Sequence, residues 1–258
     1  MAETTTFTDT GDIPRTRRVR HELRRRTLSV TAVERFTPVM IRVTLGGEDL
    51  ADFASAGADD HLKLILPGAD GEEQRRDYTP RRFDTARREL VIDLVDHVGG
   101  PAADWARGLS AGDTVSIAGP RGSRVVEGDI PDWLLIGDET ALPAIGRRIE
   151  ELPAGTRVTS LVAVPGAQDE QSFETAAAHT ARWIHRPLSQ ADAAAPLLEA
   201  LADLNVPPRC LVWIAAEAAV ARALREALLE RGVPKVWMQA SGYWISGVAD
   251  ASVKAMED

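Results

Sequence analysis

The sequence predicts two folded units, an antiparallel β domain followed by an α/β domain built on a parallel sheet. Three observations carry this. Short segments rich in Val, Ile, Leu and Thr, separated by close turns, fill residues 27–118. After about Asp129, apolar strands alternate with helical patterns. The length, 258 residues, suits two modest domains, and no internal repeat of solenoid type is present.

In chain order, residues 1–24 read as a flexible lead, Thr-rich and then Arg-rich, without periodicity. Seven arginines fall between Arg15 and Arg26. A solvated tail explains them, and a contact for an anionic ligand or surface is the alternative. Thr27–Glu34, Met40–Leu45, His61–Leu66, Leu90–Val95 and Thr114–Ala118 are the expected strands. Gly46-Gly47, Pro67-Gly68, Gly71 and Gly112-Asp113 supply the turns, a pattern that suits a barrel or a sandwich. Between them, Gly99-Gly-Pro-Ala-Ala-Asp-Trp105 predicts a loop that opens a short helix. The join lies near residues 126–132, which gives domains at 25–129 and 130–258.

The second half opens with the strand Trp133–Gly137 and the helix Thr140–Glu151, where Pro143 is tolerated in the first turn. Strands Arg157–Val164 and Arg182–His185, helix Asp192–Leu204 and strand Cys210–Ala215 follow. The helix Glu217–Arg231 stops at Gly232, and Lys235–Ala240 is the last strand.

Composition narrows the chemistry. Hydrophobic residues are 44% and charged residues 27%, an ordinary globular balance. Apolar runs such as Leu211–Ala216 fall far short of a membrane span. Glu3, Asp9 and Asp12 stand where a signal peptide is basic. A cytoplasmic monomer without membrane insertion is expected. The net charge of −9 argues against nucleic-acid binding. The single cysteine, Cys210, excludes an internal disulfide and a four-thiolate cluster, and its apolar neighbours predict a buried thiol. The five histidines are scattered, so no metal site is expected. Redox chemistry in this chain therefore requires an imported organic cofactor.

Four segments bear chemistry. In Arg76-Asp-Tyr78-Thr79-Pro-Arg81, two guanidinium forks suit phosphate oxygens, and a phenol suits a flat ring and a sugar-like chain. In Asp96-His97-Val-Gly99-Gly100-Pro101-Ala102, followed by Trp105, glycines permit close approach and a helix start favours pyrophosphate. Gly137-Asp138-Glu139-Thr140-Ala141 lies at a strand end of the α/β half, where open sheets bind ligands. Tyr243-Trp244 follows the last expected strand, placed to cover a flat ligand or to pack between domains. G-x-G-x-x-G, G-x-S-x-G, H-E-x-x-H, Walker A and EF-hand patterns are absent.

Together these residues resemble the siderophore-interacting proteins, flavin-dependent ferric-siderophore reductases of the ferredoxin-reductase-like group. The likeness runs from about Thr27 to Gly247. Its marks also include Arg-Val-Thr-Leu-Gly-Gly (42–47), Asp60-His-Leu-Lys63, Ala118-Gly-Pro-Arg-Gly-Ser123 and Gly137–Ala144. The resemblance implies a Greek-key β-barrel that binds FAD and an α/β domain that receives NADPH or NADH, with reduced ferredoxin as the alternative donor. It implies that Arg76, Tyr78, Thr79, Arg81, His97, Gly99, Gly100, Pro101, Ala102 and Trp105 hold the flavin from the barrel. Asp138, Thr140, Ala141, Tyr243 and Trp244 would face it from the second domain. Lys63, Arg121 and Arg124 would meet an anionic ferric siderophore. No residue is assigned a strict catalytic role, because outer-sphere electron transfer needs no acid or base.

Two departures stand out. Ile245 occupies the place of an Arg common after the Tyr-Trp pair, which implies a less anionic or more apolar chelate. Ala216 stands where Gly often precedes Glu, close to the expected nicotinamide approach, and this motivates the ferredoxin donor. A flavin reductase with another acceptor, and a non-catalytic flavin or siderophore binder, are the rival readings.

Overall fold

A computed structural model describes residues 13–68, 71–253 and 256. The first part of the expected lead, residues 1–12, lies outside the described residues.

Seven strands form an antiparallel sheet that curls into the barrel: β2 (Arg25–Thr37), β3 (Met40–Gly46), β4 (Leu62–Pro67), β5 (Glu73–Tyr78), β6 (Arg82–Asp84), β7 (Glu89–Val95) and β8 (Thr114–Ala118). Their order is β5-β4-β8-β2-β3-β7-β6. The sequence dictates the inward face. Arg26, Leu28 and Val30 alternate with exposed Arg25, Thr27 and Ser29 along β2. Leu28, Val43, Leu45, Leu64, Leu90, Ile92 and Ile117 meet in one core. Register shifts at Val30/Ala32 and Arg35/Thr37 bend β2, as closing a barrel requires. The short helix α1 (Pro101–Gly108) buries Ala102, Ala103 and Ala106 against this barrel.

A two-stranded ribbon stands beside it. β1 (Arg15–Arg20) pairs antiparallel with β9 (Gly122–Glu127), matching Arg15 to Glu127 and Arg20 to Gly122. This corrects the expectation of an unstructured lead through residue 24. β1 reads Arg-Thr-Arg-Arg-Val-Arg, so the apolar period that marks a strand is missing. The strand exists because β9 offers it a ladder. β5, β6 and β9 were likewise absent from the expected elements. β5 reads Glu-Gln-Arg-Arg-Asp-Tyr, and as an edge strand it has no apolar run to betray it.

The second sheet is parallel throughout, in the order β12-β11-β10-β13-β14. Its strands are β10 (Asp132–Asp138), β11 (Arg157–Val164), β12 (Ala178–His185), β13 (Cys210–Glu217) and β14 (Met238–Trp244). β10 and β13 are buried along their whole length, which is why they read as unbroken apolar runs. Helix α2 (Leu142–Glu151) packs on one face through Leu142, Ile145 and Ile149. Helices α3 (Ala195–Ala202) and α4 (Ala218–Glu230) cover the other with Leu197, Leu201, Leu224 and Leu228. The order in which strands are added reverses between β10 and β13, and such folds take ligands in the crevice at that point.

The last strand differs from expectation. Lys235–Trp237 is a 3-10 turn and β14 begins at Met238, so Tyr243 and Trp244 belong to the strand rather than to a tail after it. The turn follows Pro234, which cannot donate to a ladder.

Candidate functional site

The barrel and the sheet share a core. Met40 of β3 joins Trp133, Leu135, Trp213 and Trp237, with Phe36, Val126 and Tyr243 packed against them. Polar ties surround that core. Arg147 on α2 donates to Ser55 Oγ at 2.7 Å, Ser55 O at 2.9 Å and Pro80 O at 3.1 Å. Asp169, after β11, accepts from Val39 N at 3.2 Å, and Val39 O accepts from Asp96 N at 2.8 Å. These contacts bring the loop after β11 beside the segment that leads into His97.

The barrel half of the site is set by two strand ends. Arg76 and Tyr78 alternate on β5 and pair with Leu64 and Leu62, so both turn toward one side of the sheet. Arg76 donates to Arg75 O at 2.9 Å and Gln74 Oε1 at 3.4 Å, and its guanidinium stands 4.0 Å from Asp250. Burial raises the Tyr78 phenol well above the usual range, against the pull of Arg76, so it remains a proton donor. Thr79 is buried beside it.

After β7, Gly99 takes a left-handed φ of +78° and Gly100 opens α1 with no side chain capping its amides. The His97 ring lies over Gly100, where an added Cβ would meet it at 2.5 Å. Pro101 sits in the first helical turn, and Ala102 is buried beneath it. A glycine cradle, uncapped amides, a guanidinium and a protonated phenol form a donor set that fits a flavin dinucleotide. Trp105 is half-buried against the barrel core.

The α/β half centres on Asp138, which is 1% exposed at the end of β10. Its carboxylate accepts from Thr140 N at 2.9 Å, Thr140 Oγ1 at 2.5 Å, Glu217 N at 3.0 Å and Trp244 Nε1 at 3.0 Å. Asp138 thus holds Thr140 and Trp244 in place, and its acceptor sites are taken. Glu139 and Arg186 form a buried pair at 2.9 Å. Burial, with Asp138 adjacent, pushes the Glu139 carboxyl up to about 7 against the attraction of Arg186. Glu217 caps α4, accepting from Ala219 N and Val220 N.

Several expected ligand contacts are placed otherwise. Arg81 is 7% exposed and gives its fork to Glu150 of α2, with two bonds of 2.6 Å. It ties the domains together instead of facing a phosphate. Ala141 is wholly buried in the core under α2, so it presents nothing to a ring. Tyr243 meets Trp213 edge to face at 6.1 Å in the shared core, whereas Trp244 turns its indole to Asp138. Lys63 lies on the face of β4 opposite to Leu62 and Leu64, paired with Asp77 at 3.0 Å. It therefore points away from the side that carries Arg76 and Tyr78. Arg121 is exposed and Arg124 half-buried on or just before β9. Asp169, Arg186 and Arg147 were not singled out from the sequence. No local pattern marks them, since their partners lie 130, 47 and 92 residues away.

Comparison with known proteins agrees with this architecture. Residues 130–247 match the siderophore-interacting protein family, and residues 29–75 and 69–124 match the siderophore-interacting FAD-binding domain. The chain is 34% identical over 249 residues to an NADPH-dependent ferric-chelate reductase of Escherichia coli strain K12, covering 88% of this chain and 95% of that one. Among solved structures, a siderophore utilization protein from T. fusca aligns with a TM-score of 0.84 at 36% identity, over 92% of this chain and 98% of the other. The siderophore-interacting protein SipS from Aeromonas hydrophila aligns with a TM-score of 0.76 at 27% identity, over 88% of this chain and 94% of its own. The chain belongs to the siderophore-interacting protein family.

Proposed function

We propose that this protein is an FAD-dependent reductase of ferric siderophores that draws electrons from NADPH and releases Fe(II). The observation that carries the reading is a set of donors on each of two domains that pack on a shared core. Arg76, Tyr78, Thr79 and the Gly99–Ala102 turn come from the barrel, and Thr140 and Trp244 come from the strand ends of the parallel sheet. Bound FAD supplies the conversion of a two-electron hydride donor into single electrons, so one NADPH serves two ferric ions.

The chain's own residues bind and orient. Arg76 and the uncapped amides of α1 would hold the pyrophosphate, and Tyr78 would serve as a neutral donor to the flavin. Asp138 fixes the Trp244 indole and the Thr140 hydroxyl, which would meet the flavin from the second domain. The relative from Escherichia coli is named for NADPH and a ferric chelate, and the likeness to it spans almost the whole chain. Among the described residues, no helix is long and apolar enough to cross a membrane. We place the reaction in the cytoplasm, carried out by a monomer.

The test is a visible spectrum of the purified protein, with the cofactor identified after denaturation. FAD on release, bleaching by NADPH without oxygen, and Fe(II) captured by a ferrous chelator on adding a ferric siderophore are the expected results. A protein that binds no added FAD overturns the reading. Bleaching by reduced ferredoxin but not by NADPH would replace the donor.

A further inference from the structure

We propose that Asp96 is a positioning residue for the flavin turn, and that through Arg107 it aims the first turn of α1 at the phosphates of FAD. This rests on the FAD reading above and names the group that favours a phosphorylated flavin over an unphosphorylated one.

The turn itself has little to hold its shape. Gly99 takes a left-handed φ of +78° and Gly100 follows it, and two glycines in succession leave the backbone many alternatives. Val98 at the tip is 99% exposed and gains no packing. The helix that follows buries Ala102, Ala103 and Ala106, small side chains with few atoms to fix its direction, and Trp105 is half-buried beside them.

Asp96 supplies a constraint from outside the turn. It follows β7 directly, and its side chain is 12% exposed. Its main chain is fixed to the turn between β2 and β3, where Asp96 N donates to Val39 O at 2.8 Å. Its carboxylate is fixed to the same turn, because Arg35 stands 2.5 Å from one oxygen and also donates to Pro38 O at 2.9 Å. The other oxygen accepts from Arg107 in the last turn of α1. Asp104, on the same helix, holds that guanidinium from its other side. Burial disfavours the charge, but Arg35 and Arg107 hold the Asp96 carboxyl below its ordinary range, so it is ionised at neutral pH. The Asp96–Arg107 pair joins residues 11 apart and closes a ring of chain around Gly99 and Gly100. The helix is a rigid rod of about 12 Å at 1.5 Å per residue. One end is gripped by a post that belongs to the barrel, and the uncapped amides stand at the other. The grip therefore sets where those amides point. Arg35 and Arg107 are exposed, so water takes them over when the carboxylate is removed, and the stability of the fold changes little. The cost falls on the aim of the helix.

The experiment measures flavin binding to the full-length protein by equilibrium dialysis, with FAD and riboflavin as probes. Riboflavin carries the same ring and ribityl chain without phosphate. The variants are Asp96→Asn, Arg107→Gln and both together. Asp96→Asn should weaken FAD binding about tenfold, the equivalent of one lost hydrogen bond to a charged group, and leave riboflavin within about twofold. Arg107→Gln should do the same, and the double variant should lose no more than either single one, because all three break one contact. The two single changes alter the net charge in opposite directions. A plain field effect on the phosphates would therefore make Asp96→Asn bind FAD more tightly. Tighter or unchanged FAD binding in Asp96→Asn overturns the proposal. An equal loss for riboflavin also overturns it, since that would mark a general loosening of the fold. A parent protein that takes up neither flavin overturns the cofactor reading itself, a result distinct from a parent that binds both and variants that match it.

Discussion

At the residue scale, the site is held by groups whose partners are fixed. Asp138 has four donors aimed at one buried carboxylate. Asp138→Asn should lower unfolding free energy by about 1–3 kcal/mol, because an amide nitrogen then faces a donor. Urea denaturation measures this, and an unchanged midpoint would show that the four bonds do not act on stability. Arg76→Ala together with Tyr78→Ala should weaken FAD binding by a few kcal/mol, since a hydrogen bond to a charged group contributes about 1.5–3. Equilibrium dialysis against FAD reads the loss, and full retention of flavin would remove these residues from the site. Cys210 gives a third expectation. Burial pushes its thiol up to about 12, with Asp132 adding to the rise. A thiol reagent at pH 8 should react only after unfolding, and fast labelling of the native protein would contradict the burial.

At the element scale, the domains are joined by side chains that reach across from a strand to a helix. Arg81 links the barrel to Glu150 of α2, with its guanidinium 6.0 Å from the centre of the Phe173 ring. Gly146 belongs to this packing, because a Cβ there would come within 2.6 Å of Phe173 and 3.0 Å of Arg81. Replacing Arg81 by Met should leave each core intact and loosen their union. Scanning calorimetry should then show a broadened or divided transition in place of a single one, and an unaltered endotherm would show that the apolar core alone couples the domains. The same scale explains the ribbon. β1 has no apolar face of its own, and it is ordered by the backbone ladder of β9 and by the bond from Gln239.

At the scale of the whole molecule, one buried acid should leave a mark on pH stability. The Glu139 carboxyl sits at about 7 in the fold, above its ordinary value near 4.5. Between these values the folded state holds more protons than the unfolded one, so stability falls as pH rises from about 4.5 through 7. Glu139→Gln should flatten that slope, and thermal unfolding from pH 5 to pH 8 compares the two. An identical slope in both proteins would assign the pH dependence elsewhere. The apolar strands of both halves, the alternation of strand and helix after residue 129, and the segments at Arg76, His97, Asp138 and Tyr243 were legible in the sequence. Periodicity and turn residues are local, and a chain read one window at a time displays them. The fold class follows from those same windows, as does the absence of thiol chemistry. The tertiary structure alone decided where the marked residues lie and what they touch. Arg81 and Ala141 went to the interface and the core, Lys63 to the far side of its strand, and Arg18 to a place opposite Arg124. Those outcomes depend on register and on contacts between residues far apart in the chain, and such information resides in the packing of whole elements rather than in any one of them.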